Sequence, residues 1–357
     1  MRPGLTTGPG GSSPLRDLLG RILLHAPLRE IERVADLIDP HPGGIVVEQR
    51  HRRADTIQRL RARARLSPGA MPILRDAAAY RLPGNAAPGR RFETADSLLG
   101  AGLSDHLDRQ IADGYTLAIT PTRFIGADDE HGPDEVIAET DRLGRRDTVC
   151  LLPLDLRWLS SRRLKRLDHA LRYARSPVAL LFPRTQCRDR HGFALQALDD
   201  LLTEHPGTCL LHGDATVMAA VARHGGFGSI GAPRPAWFRR DHHRSLRRSD
   251  TGGSILVPQL LHWFPVAEVR ELTDRGIRFT CDCPECHHRR LHEITAPIDV
   301  TRHNVSRWMS WASRLRLAPD GPSWWRAQCD AALESFADIP WDETLRAHHD
   351  RLRTWAA

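Results

Sequence analysis

Long hydrophobic runs are missing from this 357-residue sequence. No window approaches the ~18 consecutive apolar residues of a membrane-spanning helix, so no membrane partner is expected. The opening residues also lack the basic-then-apolar order of a secretory signal. Rich in Gly, Ser, Thr and Pro, residues 1–14 read as a disordered leader. No Gly-rich turn of the dinucleotide-binding kind follows the early apolar runs, which weighs against an open doubly wound sheet. There is no internal repeat and no coiled-coil heptad. Lysine is nearly absent, Lys165 being the single one among 51 basic residues. The net charge of +7 therefore says less about a polyanionic partner than the placement of the arginines does. Cysteines number seven, three of them within six residues. An odd, clustered set argues against a disulfide framework and for metal binding in a reducing, cytoplasmic compartment.

What is present is alternation. Two amphipathic segments, Pro14–Ala26 and Pro27–Ile38, read as short helices. Eight continuous apolar runs then read as strands buried on both faces: Gly44–Glu48, Met71–Arg75, Tyr115–Thr120, Thr148–Leu154, Pro177–Phe182, Thr208–His212, Phe227–Gly231 and Ile277–Thr280. Between them, Ala54–Leu66, Ala95–Ala112, Asp134–Arg145, Arg162–Arg175, Phe193–Glu204, Thr216–His224 and Val266–Arg275 repeat apolar residues at three- and four-residue spacing, as helices do. Strand–helix alternation implies parallel pairing through right-handed crossovers, and eight repeats imply closure into a (β/α)8 TIM barrel over 15–280. A zinc-binding subdomain with its closing helix is expected over 281–317. A helical tail follows over 318–357, with Trp324, Trp325, Trp341 and Trp355 as packing anchors.

In such a barrel, chemistry is built at the carboxyl ends of the strands. Asp76 with Tyr80, Asp155 and Asp214 follow the expected strands two, four and six. Carboxylates at a shared mouth serve as nucleophiles, acid/base groups or acceptors for a purine edge, although each of these aspartates also suits a helix N-cap. An arginine-rich segment holding Arg239, Arg240 and Arg244 follows the seventh run, where it could grip phosphates or simply be a solvated loop. Cys281, Cys283 and Cys286 follow the last run at a spacing that lets three thiolates converge on one tetrahedral ion. His287, His288, His292 and His303 are candidates for the fourth ligand. His303 is favoured because the first two lie too close to Cys286 and because it precedes a helix expected at Val305–Leu317. Four protein ligands leave no open position, so this zinc would be structural. No open site of His and carboxylate ligands, of the kind a catalytic metal needs, is evident.

The Cys-x-Cys-x-x-Cys after the last strand, closed by His303-Asn304, resembles the tRNA-guanine transglycosylase superfamily. Asp76-Ala77-Ala78-Ala79-Tyr80 resembles that family's Asp-Ser-Gly-Gly-Phe motif, and Asp155 falls near its purine-recognising aspartate. The resemblance implies exchange of guanine for a 7-deazaguanine in a polynucleotide, tRNA or DNA, through a covalent aspartyl–sugar intermediate. The partners implied are the nucleic acid and a free purine or 7-deazapurine base; a homodimer is allowed for. Two departures matter, the first being a Cys286-to-His303 spacing shorter than in the family's tRNA enzymes. Phe227-Gly228-Ser229-Ile230-Gly231-Ala232-Pro233-Arg234 stands where the family carries its nucleophilic aspartate, and it contains none. Asp214 is then the expected nucleophile, Asp76 the proton-handling carboxylate, Asp155 and Tyr80 base contacts, and Arg239, Arg240 and Arg244 phosphate contacts. A non-catalytic nucleic-acid-binding protein on a decayed barrel is the alternative.

Overall fold

The structure, a computed structural model, describes residues 14–64, 71–94, 102–182, 192–231, 253–337, 339 and 343–356. Eight parallel strands close into a barrel in chain order: β1 (Ile22–Pro27), β2 (Ile45–Glu48), β3 (Ile73–Asp76), β4 (Ala118–Ile119), β5 (Thr148–Pro153), β6 (Val178–Leu181), β7 (Cys209–Gly213) and β8 (Gly228–Gly231). Closure is made by β1 on β8, with Leu24 opposite Ile230. Between and after these strands lie α1 (Leu28–Glu32), α2 (Thr56–Arg63), α3 (Leu103–Ala112), α4 (Gly132–Arg142), α5 (Ser161–Tyr173), α6 (Gly192–Glu204) and α7 (Ala215–His224). No helix among the described residues is long and apolar enough to cross a membrane.

The (β/α)8 expectation holds, with one shift. The segment read as a helix from Pro14 to Ala26 holds all of β1 but Pro27, and Ile277–Thr280 is not a barrel strand. Ile22-Leu23-Leu24 is buried on both faces, so its continuous apolar run carries no period that separates strand from helix. The closed sheet therefore ends at Gly231, with Asp76 the last residue of the third strand and Asp155 and Asp214 following the fifth and seventh.

Because strand side chains alternate, each strand gives one set of residues to the barrel interior and one to the helices. Leu23, Val46, Leu74, Ile119, Leu151, Leu181, Leu211 and Phe227 fill the interior as one cluster. Two residues further along the same faces come His25, Glu48, Asp76 and Ser229, so polar side chains form the interior layer at the carboxyl end. The opposite faces, among them Leu24, Val47, Ile73 and Leu180, pack under the helices in the main core.

Beyond the barrel, β9 (Ser254–Val257) pairs antiparallel with β10 (His262–Pro265), followed by α8 (Val266–Asp274). β11 (Thr280–Cys281) pairs with β12 (Arg289–Arg290). α9 (Pro297–Leu317), α10 (Gly321–Ser335) and α11 (Glu343–Ala356) complete the chain. Trp325 and Trp355 are buried in that tail with ring centroids 6.1 Å apart, and Trp324 packs against the same core. They are packing anchors, while Trp341 lies outside the described residues.

Candidate active site and metal centre

At the barrel mouth, Asp76 is the centre of a buried hydrogen-bonded group. Its Oδ1 accepts from the Ala78 backbone N–H at 2.7 Å. Its Oδ2 accepts from the Tyr80 hydroxyl at 2.7 Å and lies 3.1 Å from His25 Nε2. On the other edge of that ring, His25 Nδ1 lies 3.0 Å from Ser229 Oγ, which itself accepts from the His212 backbone N–H at 2.9 Å. Since the hydroxyl already accepts there, its own hydrogen is free for His25 Nδ1, which leaves the Nε2 proton for Asp76. Burial pushes the Asp76 carboxyl up, but the His25, Tyr80 and Ala78 hydrogen bonds outweigh it and hold its pKa below the ordinary value. Asp76 is therefore an anion in a dry interior. Burial and the Asp76 charge push the Tyr80 phenol well up, so Tyr80 stays a donor.

Local backbone geometry builds this group. Ala78 sits in the left-handed region at φ 50°, which turns its N–H back onto Asp76. Glycine adopts such a φ freely, whereas alanine does so only at a cost. His212 is also left-handed at φ 61°, where the β7/β8 register shifts between Leu210 and Gly213. Its ring lies against His25 with centroids 4.4 Å apart. Burial, with the neighbouring charges of His25 and Arg81, holds His212 well below its ordinary pKa and hence neutral. Glu48, beside Asp76 in the β2/β3 register, gives one oxygen to Arg81 at 2.9 Å. Burial nonetheless leaves its carboxyl above the ordinary value.

The other expected site residues are placed differently. Asp155 caps a short turn, accepting from Arg157 N at 2.9 Å and pairing with the Arg157 side chain at 3.1 Å. Asp214 caps α7, accepting from Thr216 N at 2.9 Å and Thr216 Oγ1 at 2.7 Å, and pairs with Arg351 of α11 at 3.4 Å. Both carboxylates thus do the capping work that aspartate does well. Arg239, Arg240 and Arg244 lie outside the described residues. Sequence alone does not single out His25, because the β1 segment also satisfies a helical pattern, or Glu48, a single acid at a strand end. Their signal was parity: each follows an inward apolar residue by two positions. Ligand atoms of His25, Glu48 and His212 all lie within 4.8 Å of one another, so a grouping of His and carboxylate ligands exists where none was expected.

The metal centre is separate. Cys281, Cys283, Cys286 and His303 are buried, with one ligand atom from each within 4.8 Å of all the others. Cys281 ends β11. A tight turn, with Cys286 N–H donating to Cys283 O at 2.9 Å, brings the other two thiols round. His303 Nδ1 lies 3.0 Å from Cys286 Sγ and 3.9 Å from Cys283 Sγ. His303 Nε2 lies 2.8 Å from the Leu256 carbonyl oxygen, so the proton belongs on Nε2 and Nδ1 faces the thiols with its lone pair. Asn304 accepts from Leu256 N–H at 2.8 Å and donates to Ser254 O at 2.9 Å, tying α9 to β9. Ion pairs of Arg302 with Glu285 and of Arg307 with Asp282 clamp the thiol-bearing turn onto the same helix. His303 sits inside α9, which begins at Pro297 rather than at the expected Val305. The four residues can hold a metal ion, and their donor set and closed geometry fit one.

No protein-family model matches this chain, and no curated protein is significantly similar to it. Among solved structures, it is similar to carboxyl transferase domains of Rhizobium etli pyruvate carboxylase. One, with oxamate and biotin, is 13% identical with a TM-score of 0.38, over 65% of this chain and 46% of that one. Another, with 3-bromopyruvate, is 13% identical with a TM-score of 0.37, over 88% of this chain and 53% of that one. The chain thus spans about half the length of these structures. Likenesses this distant carry no argument about its chemistry.

Proposed function

We propose that this barrel is a transglycosylase-type enzyme that exchanges guanine for a 7-deazapurine in a polynucleotide, tRNA or DNA. The observation that carries the reading is Asp76, an anionic carboxylate buried at the carboxyl end of the barrel. It is held there by the loop Ala77 to Tyr80, which resembles the Asp-Ser-Gly-Gly-Phe motif in its leading aspartate, its small residues and its closing aromatic ring. A target guanosine would leave its stack to reach this depth. Asp76 would take up a proton on substrate binding, give it to the departing guanine, and then, as the anion, accept the proton of the incoming base, with Tyr80 and His25 fixing its orientation. Attack on the anomeric carbon falls to Asp214 only if it leaves the α7 cap and Arg351, and Asp214→Asn tests that step directly. The zinc assignment belongs to the same reading. Three thiolates and an imidazole suit zinc, held for structure with no open position. Thiols kept free in such a site suit a reducing, cytoplasmic setting.

The test is incorporation of radiolabelled guanine, and separately of a labelled 7-deazaguanine, into bulk tRNA or duplex DNA, counted in the acid-insoluble fraction. Label in one polymer, lost in Asp76→Asn with zinc content unchanged, supports the reading and names the acceptor. A second reading, a non-catalytic nucleic-acid-binding barrel, is favoured by Ser229 standing in the stretch where the family nucleophile is expected and by the engaged state of Asp214. It gives reversible, salt-sensitive binding with no label transferred.

A further inference from the structure

His25, Glu48 and His212 reach one point of the barrel mouth from β1, β2 and β7, with ligand atoms mutually within 4.8 Å. His212 is 1% exposed and its Nδ1 has no hydrogen-bond partner among the described residues. An imidazole nitrogen left bare in a dry interior is unfavourable, and so is the left-handed backbone that puts the ring there. Two unfavourable features meet at one residue whose ring lies 4.4 Å from that of His25, and a ligand bound there would offset them. Asp76 stands beside the three, hydrogen-bonded to His25 while no ion is bound, and an ion held by His25 Nε2 would replace that proton. His25 Nε2 and Asp76 Oδ2 are 3.1 Å apart. Ligation by His25 Nε2 requires its proton to move to Nδ1, where Ser229 Oγ at 3.0 Å has a second lone pair to accept it, and such a bond from the other ring nitrogen is what ordinarily fixes a ligating histidine. Arg81 holds one oxygen of Glu48 at 2.9 Å, leaving the other for the ion.

We propose that His25, Glu48 and His212, with Asp76 beside them, form a second metal site at the barrel mouth for a divalent first-row transition ion. Imidazole and carboxylate donors without a thiolate suit manganese, iron(II), cobalt or zinc. Four protein groups at most leave positions open to water or to an oxygen of a substrate, unlike the closed thiolate site. This site stands on the geometry of the mouth and goes beyond the base-exchange reading without depending on it.

Full-length protein with its thiolate site filled by zinc would be dialysed in turn against Mn2+, Co2+, Zn2+ and, anaerobically, Fe2+, and the metal counted per chain. We expect two equivalents for at least one of these ions. His212→Ala and, independently, Glu48→Gln should remove the second equivalent or weaken it at least ten-fold while the thiolate-site zinc stays. Retained zinc and an unchanged thermal midpoint show that a variant is folded, and Glu48→Gln gives the same readout if His212→Ala does not fold. One equivalent in the wild-type protein with every ion overturns the proposal, as does a second equivalent that survives both substitutions. The count needs no nucleic acid, so a failure of base exchange leaves its outcome unaffected.

Discussion

The Tyr80 hydroxyl donates to Asp76 Oδ2 at 2.7 Å, the same oxygen that lies 3.1 Å from His25 Nε2. With the Ala78 N–H on Oδ1, these contacts hold a buried carboxylate ionised against its own desolvation. Tyr80→Phe removes one donor while keeping the ring in place. Hydrogen bonds to charged groups are worth about 1.5–3 kcal/mol, and a loss of that size at pH 7 is expected in urea unfolding. The sign with pH follows from the lowered folded pKa. The stabilisation is present above the unfolded carboxyl value of about 3.9 and disappears as pH falls through the folded one. Tyr80→Phe raises the folded pKa, so the loss should be largest near neutrality and vanish in acid. A difference that stays constant down to pH 2 would show that the hydroxyl does not act through the Asp76 charge.

Ala78 carries the backbone strain of the same loop. A left-handed conformation costs a non-glycine residue roughly 1–2 kcal/mol, and glycine gives part of that back through a more flexible unfolded chain. Ala78→Gly is therefore expected to change stability by about +0.5 to +1 kcal/mol with the Asp76 contacts intact. Destabilisation would mean that the Ala78 methyl, which is buried, packs for more than its backbone costs.

The metal centre depends on a chain of contacts behind the ligands. Asn304 ties Ser254 and Leu256, and Leu256 fixes the ring of His303. Removing such outer partners typically weakens metal binding 10- to 100-fold. Asn304→Ala should fall in that range in chelator competition, and His303→Ala should exceed it. Full chelation should lower the thermal midpoint of the wild-type protein, and added zinc should restore it, because binding energy at a structural site is folding energy.

Much of this architecture was legible because parallel strands buried on both faces leave continuous apolar runs, and seven of the barrel strands did so. β1 was not, because Leu18-Leu19 and Ile22-Leu23-Leu24 together also satisfy a helical spacing. That one ambiguity hid His25, and with it the partner that makes Asp76 more than a candidate N-cap. The thiolate site was legible from spacing, since its ligands are close in sequence and chemically unusual. The mouth was not, since its side chains come from strands far apart in the chain. Parity with Leu23, Val46, Leu74 and Phe227 connects all of them but His212, which meets His25 from a left-handed backbone, and parity can be read only once the register is known.

Asp214 separates a structural role from a chemical one. It caps α7 through Thr216 and pairs with Arg351. Asparagine caps as well as aspartate, so Asp214→Asn should move stability by less than about 1 kcal/mol, whereas Asp214→Ala should cost about 1–2 kcal/mol. Base exchange abolished in the stable Asp214→Asn protein would assign Asp214 to the chemistry. Exchange retained there but weakened in step with the stability of Asp214→Ala would leave it as a helix cap.

His348 of α11 sets the acid tolerance of the tail. It is buried, its Nε2 lies 2.8 Å from the Leu260 carbonyl oxygen, and its Nδ1 has no partner among the described residues. Burial, with the nearby Arg351 charge, pushes its pKa down to about 3. The folded chain thus refuses a proton that the unfolded chain takes up near pH 6.5. A folded value below the unfolded one gives stability that is present above pH ~6.5 and is lost as pH falls toward ~3. In that window the slope approaches about 1.4 kcal/mol per pH unit for this one group. His348→Gln keeps a donor for Leu260 and has no charge to acquire. The variant should be close to wild type or weaker at pH 7.5, yet lose less stability between pH 6.5 and pH 4.5, by roughly 1–2 kcal/mol in paired urea titrations. Parallel slopes in the two proteins would show that His348 is protonated in the folded state, and that the acid sensitivity of this chain lies elsewhere.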